Sequence, residues 1–415
     1  MLDILCTYPL SSDLFAQATH PSSPLVAFGL ASGHVQLNRL PPSASKESPS
    51  QNGYGTVEIA WRTRRHKGSC RSLAFSPDGA NIYSAGRDGI VKLASTETGQ
   101  VTSKIAVPLH KYDPHLSPKT PYIDASNYSQ RPDTPTTLHP ITLSTLLLST
   151  DSGPLHIYDI RASNDISSKP IKTHTAIHDD YITSIASIPQ KSTSSASSTD
   201  PIQFLTTGSA TVAITDLRKG VLVQSEDQDE ELLSSTICAG KAVVGGEKGV
   251  LRFWDVGRWD DSEVTVVIGG KGGGADVLTT MPEEEGGGKG SVAVGCEDGM
   301  VRFLDVPAGR GRPKVVGNGV VHDEVDGVVG LGCVGEGRLI SGGGMVVKIW
   351  EEGGEVDEDS VNAEDEGGRD GAQKDSEDGS DSSDDERPRK RRKKRKRGKE
   401  IGKGQRDVFA FKDLE

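Results

Sequence analysis

Along residues 1–350, apolar and polar positions alternate with a period of two in short runs, and tight turns join the runs in pairs. GVLRFWDV at 249–256 returns fifty residues later as GMVRFLDV at 299–306. In the first of these, Val250, Arg252 and Trp254 fall on one face and Leu251, Phe253 and Asp255 on the other, the period of a β-strand. A unit written twice in this way cannot bury its apolar face alone and is stacked in copies. Seven copies can be read: LVAFGLASGHVQLNRL (25–40), NIYSAGRDGIVKLAST (81–96), LLLSTDSGPLHIYDIR (146–161), FLTTGSATVAITDLR (204–218), AVVGGEKGVLRFWDV (242–256), VAVGCEDGMVRFLDV (292–306) and LISGGGMVVKIWE (339–351).

Short strands also precede the copies, as in SLAFSPDG (72–79), YITSIASIP (181–189) and GVVGLGCVG (327–335), and a fourth follows, as in GQVTSKIAVPLH (99–110). Four strands per unit in seven units predict an all-β, seven-bladed propeller over residues 1–350. The turn positions Gly33, Gly89, Gly153, Ala210, Gly249, Gly299 and Gly344 stand about 52 residues apart, longer than the roughly 40–45 of a bare blade. The excess is assigned to Gly-, Ser- and Pro-rich surface insertions at 41–55, 113–136, 190–201 and 269–290. The seventh unit runs into charged sequence before its fourth strand. LDILCTYP, within residues 1–10, is a strand without an earlier unit, so it is expected to close the last blade.

Composition changes the picture beyond Trp350. The formal net charge is −12, but residues 351–386 hold seventeen Asp or Glu against Arg369 and Lys374, and 387–399 hold eleven Lys or Arg and no acid. Such blocks predict a disordered charged C-terminal tail: acidic at 351–386, basic at 387–399, with a short final motif at 400–415. The start MLDILCTYPLSSDLF lacks the pattern of a secretory signal, and no apolar run of about eighteen residues suggests a membrane span. Cys6, Cys70, Cys238, Cys296 and Cys333 lack metal or redox spacing and read as small apolar residues in a reducing compartment.

The hairpins resemble the WD repeat. Its Trp-Asp end stands whole at Trp254-Asp255 and weakened at Tyr158-Asp159, Leu304-Asp305 and Trp350-Glu351. The family's early histidine matches His66, His110, His178 and His322, and the aspartate that accepts a hydrogen bond from it matches Asp88, Asp151 and Asp298. Both partners are present only in the second and third units, so a partial polar network is expected. Two units end in Asp-x-Arg, at Arg161 and Arg218. The resemblance implies an adaptor contact of cullin-RING ligase receptors; the plain alternative is a local ion pair.

No enzyme constellation is legible. GLGCVG (330–335) spells GxGxxG but precedes a hairpin rather than a helix. The histidines form no HxxxH or HExxH pair, and no GxSxG elbow occurs. The expectation is a binding scaffold without catalytic residues, metal or cofactor. The basic run, Arg387, Arg389, Lys390, Arg391, Arg392, Lys393, Lys394, Arg395, Lys396, Arg397 and Lys399, fits recognition by nuclear import receptors. It has no interleaved aromatics to stack on bases, so direct RNA contact stays open. Ser382 and Ser383 stand in an acidic context suited to an acid-directed kinase, and RDVFAFKDLE (406–415) forms a short apolar island suited to docking.

The opening LDILCTYPLSSDLFAQATHP, then FGLASGHVQL, the seven degenerate units, and the acidic-then-basic tail ending in FAFKDLE resemble fungal nucleolar WD-repeat proteins of the Jip-five type, related to animal WD-repeat-containing protein 55. The resemblance implies a nucleolar protein tied to ribosomal RNA production and large-subunit assembly. Its implied partners are pre-ribosomal assembly factors, with the chain monomeric inside a larger complex and away from membranes. A ubiquitin-ligase receptor and a chromatin or histone binder are the competing readings.

Overall fold

The computed structural model describes residues 2–41, 57–109, 133–161, 169–189, 201–259, 262, 264–268, 273–282, 289–335 and 337–352. The tail segments 353–386, 387–399 and 400–415, with the basic targeting run, Ser382 and Ser383, and the final apolar island, lie outside the described residues, as does His110.

The chain opens with β1 (Leu2–Pro9). The first full sheet is β2 (Leu14–Thr19), β3 (Leu25–Leu30), β4 (His34–Arg39) and β5 (Glu58–Arg64). The second is β6 (Cys70–Phe75), β7 (Asn81–Gly86), β8 (Ile90–Ser95) and β9 (Val101–Ala106), and the third β10 (Pro135–Pro140), β11 (Thr145–Thr150), β12 (Leu155–Asp159) and β13 (Lys172–His174). The fourth is β14 (Ile182–Ser187), β15 (Gln203–Gly208), β16 (Thr211–Asp216) and β17 (Gly220–Gln224), and the fifth β18 (Leu232–Cys238), β19 (Lys241–Gly246), β20 (Val250–Asp255) and β21 (Val264–Val267). The sixth is β22 (Ala275–Thr280), β23 (Lys289–Cys296), β24 (Met300–Pro307) and β25 (Lys314–Val321). β26 (Gly330–Val334), β27 (Arg338–Gly343) and β28 (Val346–Glu352) belong to the seventh.

The molecule is a seven-bladed β-propeller. First strands neighbour one another around the axis, and fourth strands lie outermost. The missing outer strand of the last blade is β1, which pairs antiparallel with β28 from Leu2 opposite Glu352 to Pro9 opposite Val346. The two ends of the propeller sequence thus share one sheet, which covers the edge that β28 would otherwise expose.

The core lies between blades rather than in one centre. β20 illustrates why its hairpin reads as nearly continuous apolar sequence. Leu251 and Phe253 pack toward Val292, Val294 and Leu304 of the sixth blade, while Trp254 packs toward Leu205, Val212 and Ile214 of the fourth. Middle strands are therefore covered on both faces, and strict alternation is lost where burial is two-sided. A similar apolar layer fills each of the other blade junctions.

Three sequence expectations need correction. The stretch 269–290 is not wholly a loop: Ala275–Thr280 form the inner strand of the sixth blade, hidden in the sequence by glycines on both sides and by weak alternation on a half-exposed inner strand. The insertion at 113–136 likewise ends early, because β10 begins at Pro135. In the fourth blade the left-handed turn residue is Ser209, with φ of 50°, rather than Ala210. GLGCVG contains the inner strand β26, and its glycines let the first blade approach: a Cβ on Gly332 would lie 2.5 Å from the Thr19 methyl.

Candidate protein-docking faces

All first strands run in the same sense, so second-to-third-strand turns and crossovers between blades open at one end of the ring. The remaining connections open at the other. The crossover end is tightly built. Gly33 has φ of +78°, and a Cβ there would stand 2.2 Å from the His66 carbonyl oxygen; at Gly299, with φ of +74°, it would stand 2.0 Å from that of Asp323. Each of these turns is tucked under the crossover that follows it.

Buried polar groups tie crossover to turn in several ways. In the second blade His66 Nδ1 donates to Asp88 at 3.0 Å, and its Nε2 lies 3.0 Å from the Ser84 hydroxyl. Burial alone would raise the Asp88 carboxyl, but the His66 hydrogen bond and nearby positive charge outweigh it and hold the group below the usual carboxylate range. In the fourth blade Thr211 replaces the aspartate: His178 Nδ1 is 2.6 Å from its hydroxyl, and Nε2 is 2.9 Å from that of Thr206. In the seventh, the indole N–H of Trp350 donates to Ser341 at 2.8 Å, and the Ser341 hydroxyl meets His322 Nδ1 at 2.8 Å.

The polarity is reversed in two blades. In the third, Asp133 on the approach accepts from the Ser152 hydroxyl and amide in the turn. In the fifth, Glu230 accepts from the Lys248 amide at 2.8 Å and from Arg252 at 2.5 Å. Asp151, matched in sequence to the histidine acceptor, instead takes Arg71 of the second blade's inner strand at 2.8 Å. Asp298 takes Arg302 of its own hairpin at 2.6 Å. Asp255 is bonded by Lys241, and the Ser291 hydroxyl lies 3.4 Å from Asp305. Sequence reasoning missed Thr211, Asp133 and Glu230. For Asp133 and Glu230 the available signal was a polar residue two positions before the first strand, obscured by varying loop lengths; for Thr211 it was a hydroxyl next to the turn whose counterpart carries aspartate in the second blade.

These loops give the crossover end a strong charge. From the fourth blade to the seventh it exposes Asp179, Asp180, Glu226, Asp227, Asp229, Glu247, Glu297, Asp298, Glu324 and Asp326, with Lys248 an exposed cation among them. At the opposite end stand Arg161 and Arg218, on neighbouring blades and both exposed. Arg161 is forked onto its own Asp159 at 2.6 Å; that hydrogen bond pulls the Asp159 carboxyl down to about 2. Asp216 accepts from the Arg218 amide at 2.8 Å, leaving the guanidinium outward. The five cysteines are free thiols. Among the described residues, no group of three or more His, Cys, Asp or Glu could hold a metal.

Blades of four antiparallel strands with His–Asp, His–Thr and Trp–Ser–His ties define a WD-repeat propeller. The family model described as WD domain, G-beta repeat matches residues 60–94, the part of the chain that contains both His66 and Asp88. WD repeat-containing protein jip5 of Neosartorya fischeri is 46% identical over 442 aligned positions covering 100% of each chain. The jip5 proteins of Emericella nidulans, 44% identical over 100% of each chain, and of Aspergillus clavatus, 46% identical over 85% of this chain and 84% of the relative, are similar in the same way. The chain belongs to the jip5 family of WD repeat-containing proteins.

Proposed function

We propose that this protein is a non-enzymatic scaffold of the nucleolus that supports ribosomal RNA production and large-subunit assembly by docking protein partners on its blade faces, after import directed by residues 387–399. The observation that carries the reading is the correspondence with jip5 relatives, which for the Neosartorya fischeri protein covers 100% of both chains at 46% overall identity. The acidic crossover face adds to it. A predominantly acidic surface, as on the fourth to seventh blades, steers oppositely charged partners and favours Lys/Arg-rich protein segments over nucleic acid.

The test is affinity purification of the full-length protein and of a version ending at Glu386, each with and without RNase, followed by mass spectrometry. Large-subunit assembly factors should accompany the full chain, survive RNase and fall away on truncation. Their absence from both samples, with a ligase adaptor lost on Arg161→Ala or a histone in their place, overturns the reading.

A further inference from the structure

Each blade ends outward in a strand with one unpaired edge, and an unprotected edge is a template for another chain. Six outer strands are blunted. β1 carries Asp3, β5 carries Glu58, Arg62 and Arg64, and β9 carries Lys104. β13 and β21 are three and four residues long, and β25 is interrupted by left-handed Gly317 and Gly319. β17 reads Gly-Val-Leu-Val-Gln, with neither charge nor proline, and its one irregularity is a bulge that puts a further aliphatic side chain on the surface. Val221, Leu222 and Val223 are 42%, 41% and 38% exposed. Leu222 is the extra residue of a bulge between the pairs Thr215–Val221 and Ile214–Val223, so three consecutive aliphatic side chains reach solvent where regular alternation would turn the middle one away.

The flanks point to the occupant. Arg218 and Lys219 precede the strand, Glu226 and Asp227 follow it, and all four are exposed. None of them makes an ion pair among the described residues. Set antiparallel to itself with Leu222 facing Leu222, the segment brings Arg218 opposite Glu226 and Val221 opposite Val223. Moved by one residue, it brings Arg218 opposite Asp227 and Lys219 opposite Glu226. Parallel in-register pairing would instead face like charges. The segment is therefore self-complementary in one orientation only, the antiparallel orientation of every strand pair in these blades.

We propose that β17 is a homotypic docking edge, through which two copies of this chain pair antiparallel over residues 218–227 about a two-fold axis. The proposal is independent of the nucleolar reading and departs from the monomer expected from sequence. So short an edge makes a weak, concentration-dependent dimer, and its exposed ion pairs are screened by salt.

Sedimentation equilibrium of the full-length protein over a dilution series at low salt tests it. The average mass should rise with concentration toward that of a dimer. R218E/K219E leaves both flanks acidic and E226K/D227K leaves both basic; each should lower the association constant at least about tenfold, and Leu222→Lys should do the same. Mixing the two charge variants should restore dimers, as should all four substitutions in one chain. These side chains are exposed, and an unchanged circular dichroism spectrum and unfolding midpoint verify that the ring is intact. The proposal is overturned by a wild-type mass that stays monomeric, by a dimer indifferent to Leu222→Lys and to charge reversal, or by a mixture that does not reassociate.

Discussion

The Glu230 carboxylate sits on the crossover to the fifth blade with its residue only 7% exposed, and the Arg252 side chain bound to it is 13% exposed. Arg302 is as buried as Arg252, at 14%, so what separates this pair from Asp298–Arg302 is the carboxylate: the Glu230 side chain is 2% exposed and that of Asp298 is 35% exposed and open to water. Removing one charge of a buried pair strands the other and costs about 3–5 kcal/mol. An exposed pair contributes about 0–1 kcal/mol. Glu230→Gln should therefore lower unfolding free energy in urea by several times the loss for Asp298→Asn. Equal losses would mean that Arg252 finds another counter-charge. His178 makes the second prediction at this scale. Burial pushes its imidazole down to about 4, whereas the unfolded chain titrates near 6.5. Between those values the unfolded state holds a proton that the folded state lacks, so stability is full above pH ~6.5 and declines as pH falls toward ~4, by up to about 1.4 kcal/mol per pH unit. In a series of unfolding midpoints from neutral to acid pH, His178→Gln should start lower and fall less steeply. A slope equal to that of the wild type would mean that His178 is not held neutral.

At the scale of the element, ring closure by β1 is the most exposed joint. Deleting residues 2–9 removes the partner of β28 and uncovers an edge that includes Trp350, itself 3% exposed. The shortened chain should aggregate or unfold non-cooperatively, whereas Asp3→Lys, a change on an exposed position of the same strand, should leave the unfolding transition sharp. This joint was legible from strand counting alone, because the seventh unit lacks a fourth strand and the N-terminal strand lacks a unit. The hairpins of β3–β4 through β27–β28 were equally legible: middle strands covered on both faces need apolar runs, and a short turn beneath a crossover needs glycine where a Cβ would strike backbone, as at Gly33 and Gly299. The inner strand β22 escaped notice because its middle positions are all only half-buried, including Val277 and Leu278 at the two blade junctions, which leaves ADVLTT nearly featureless between glycine runs. The polar ties were half legible. His66–Asp88 follows the family spacing, but Asp133 with Ser152 and Glu230 with Lys248 exchange donor and acceptor, a reversal that residue matching cannot foresee.

At the scale of the whole molecule, the chain divides into a ring whose crossover end is acidic from the fourth blade to the seventh and a tail that carries its own opposed charge blocks. An acidic docking face favours basic partners wherever they are met, so its selectivity depends on where the protein is delivered. Fold and solubility need no run of eleven cations in thirteen residues, as at 387–399, in a chain of net charge −12; an acidic-patch reader such as an import receptor uses such a run directly. The corresponding prediction separates address from anchor. A fluorescent fusion of the full chain should concentrate in the nucleolus, a fusion ending at Glu386 should lose nuclear enrichment, and residues 387–399 alone should carry a neutral reporter into the nucleus. Nucleolar retention of that reporter would mean that the basic run also anchors the protein, through counterion release from RNA phosphates that weakens with salt. Nuclear entry without nucleolar retention would place anchoring on the ring. Unchanged nucleolar enrichment of the version ending at Glu386 would remove 387–399 from both roles and return the search for the address to the ring's exposed faces.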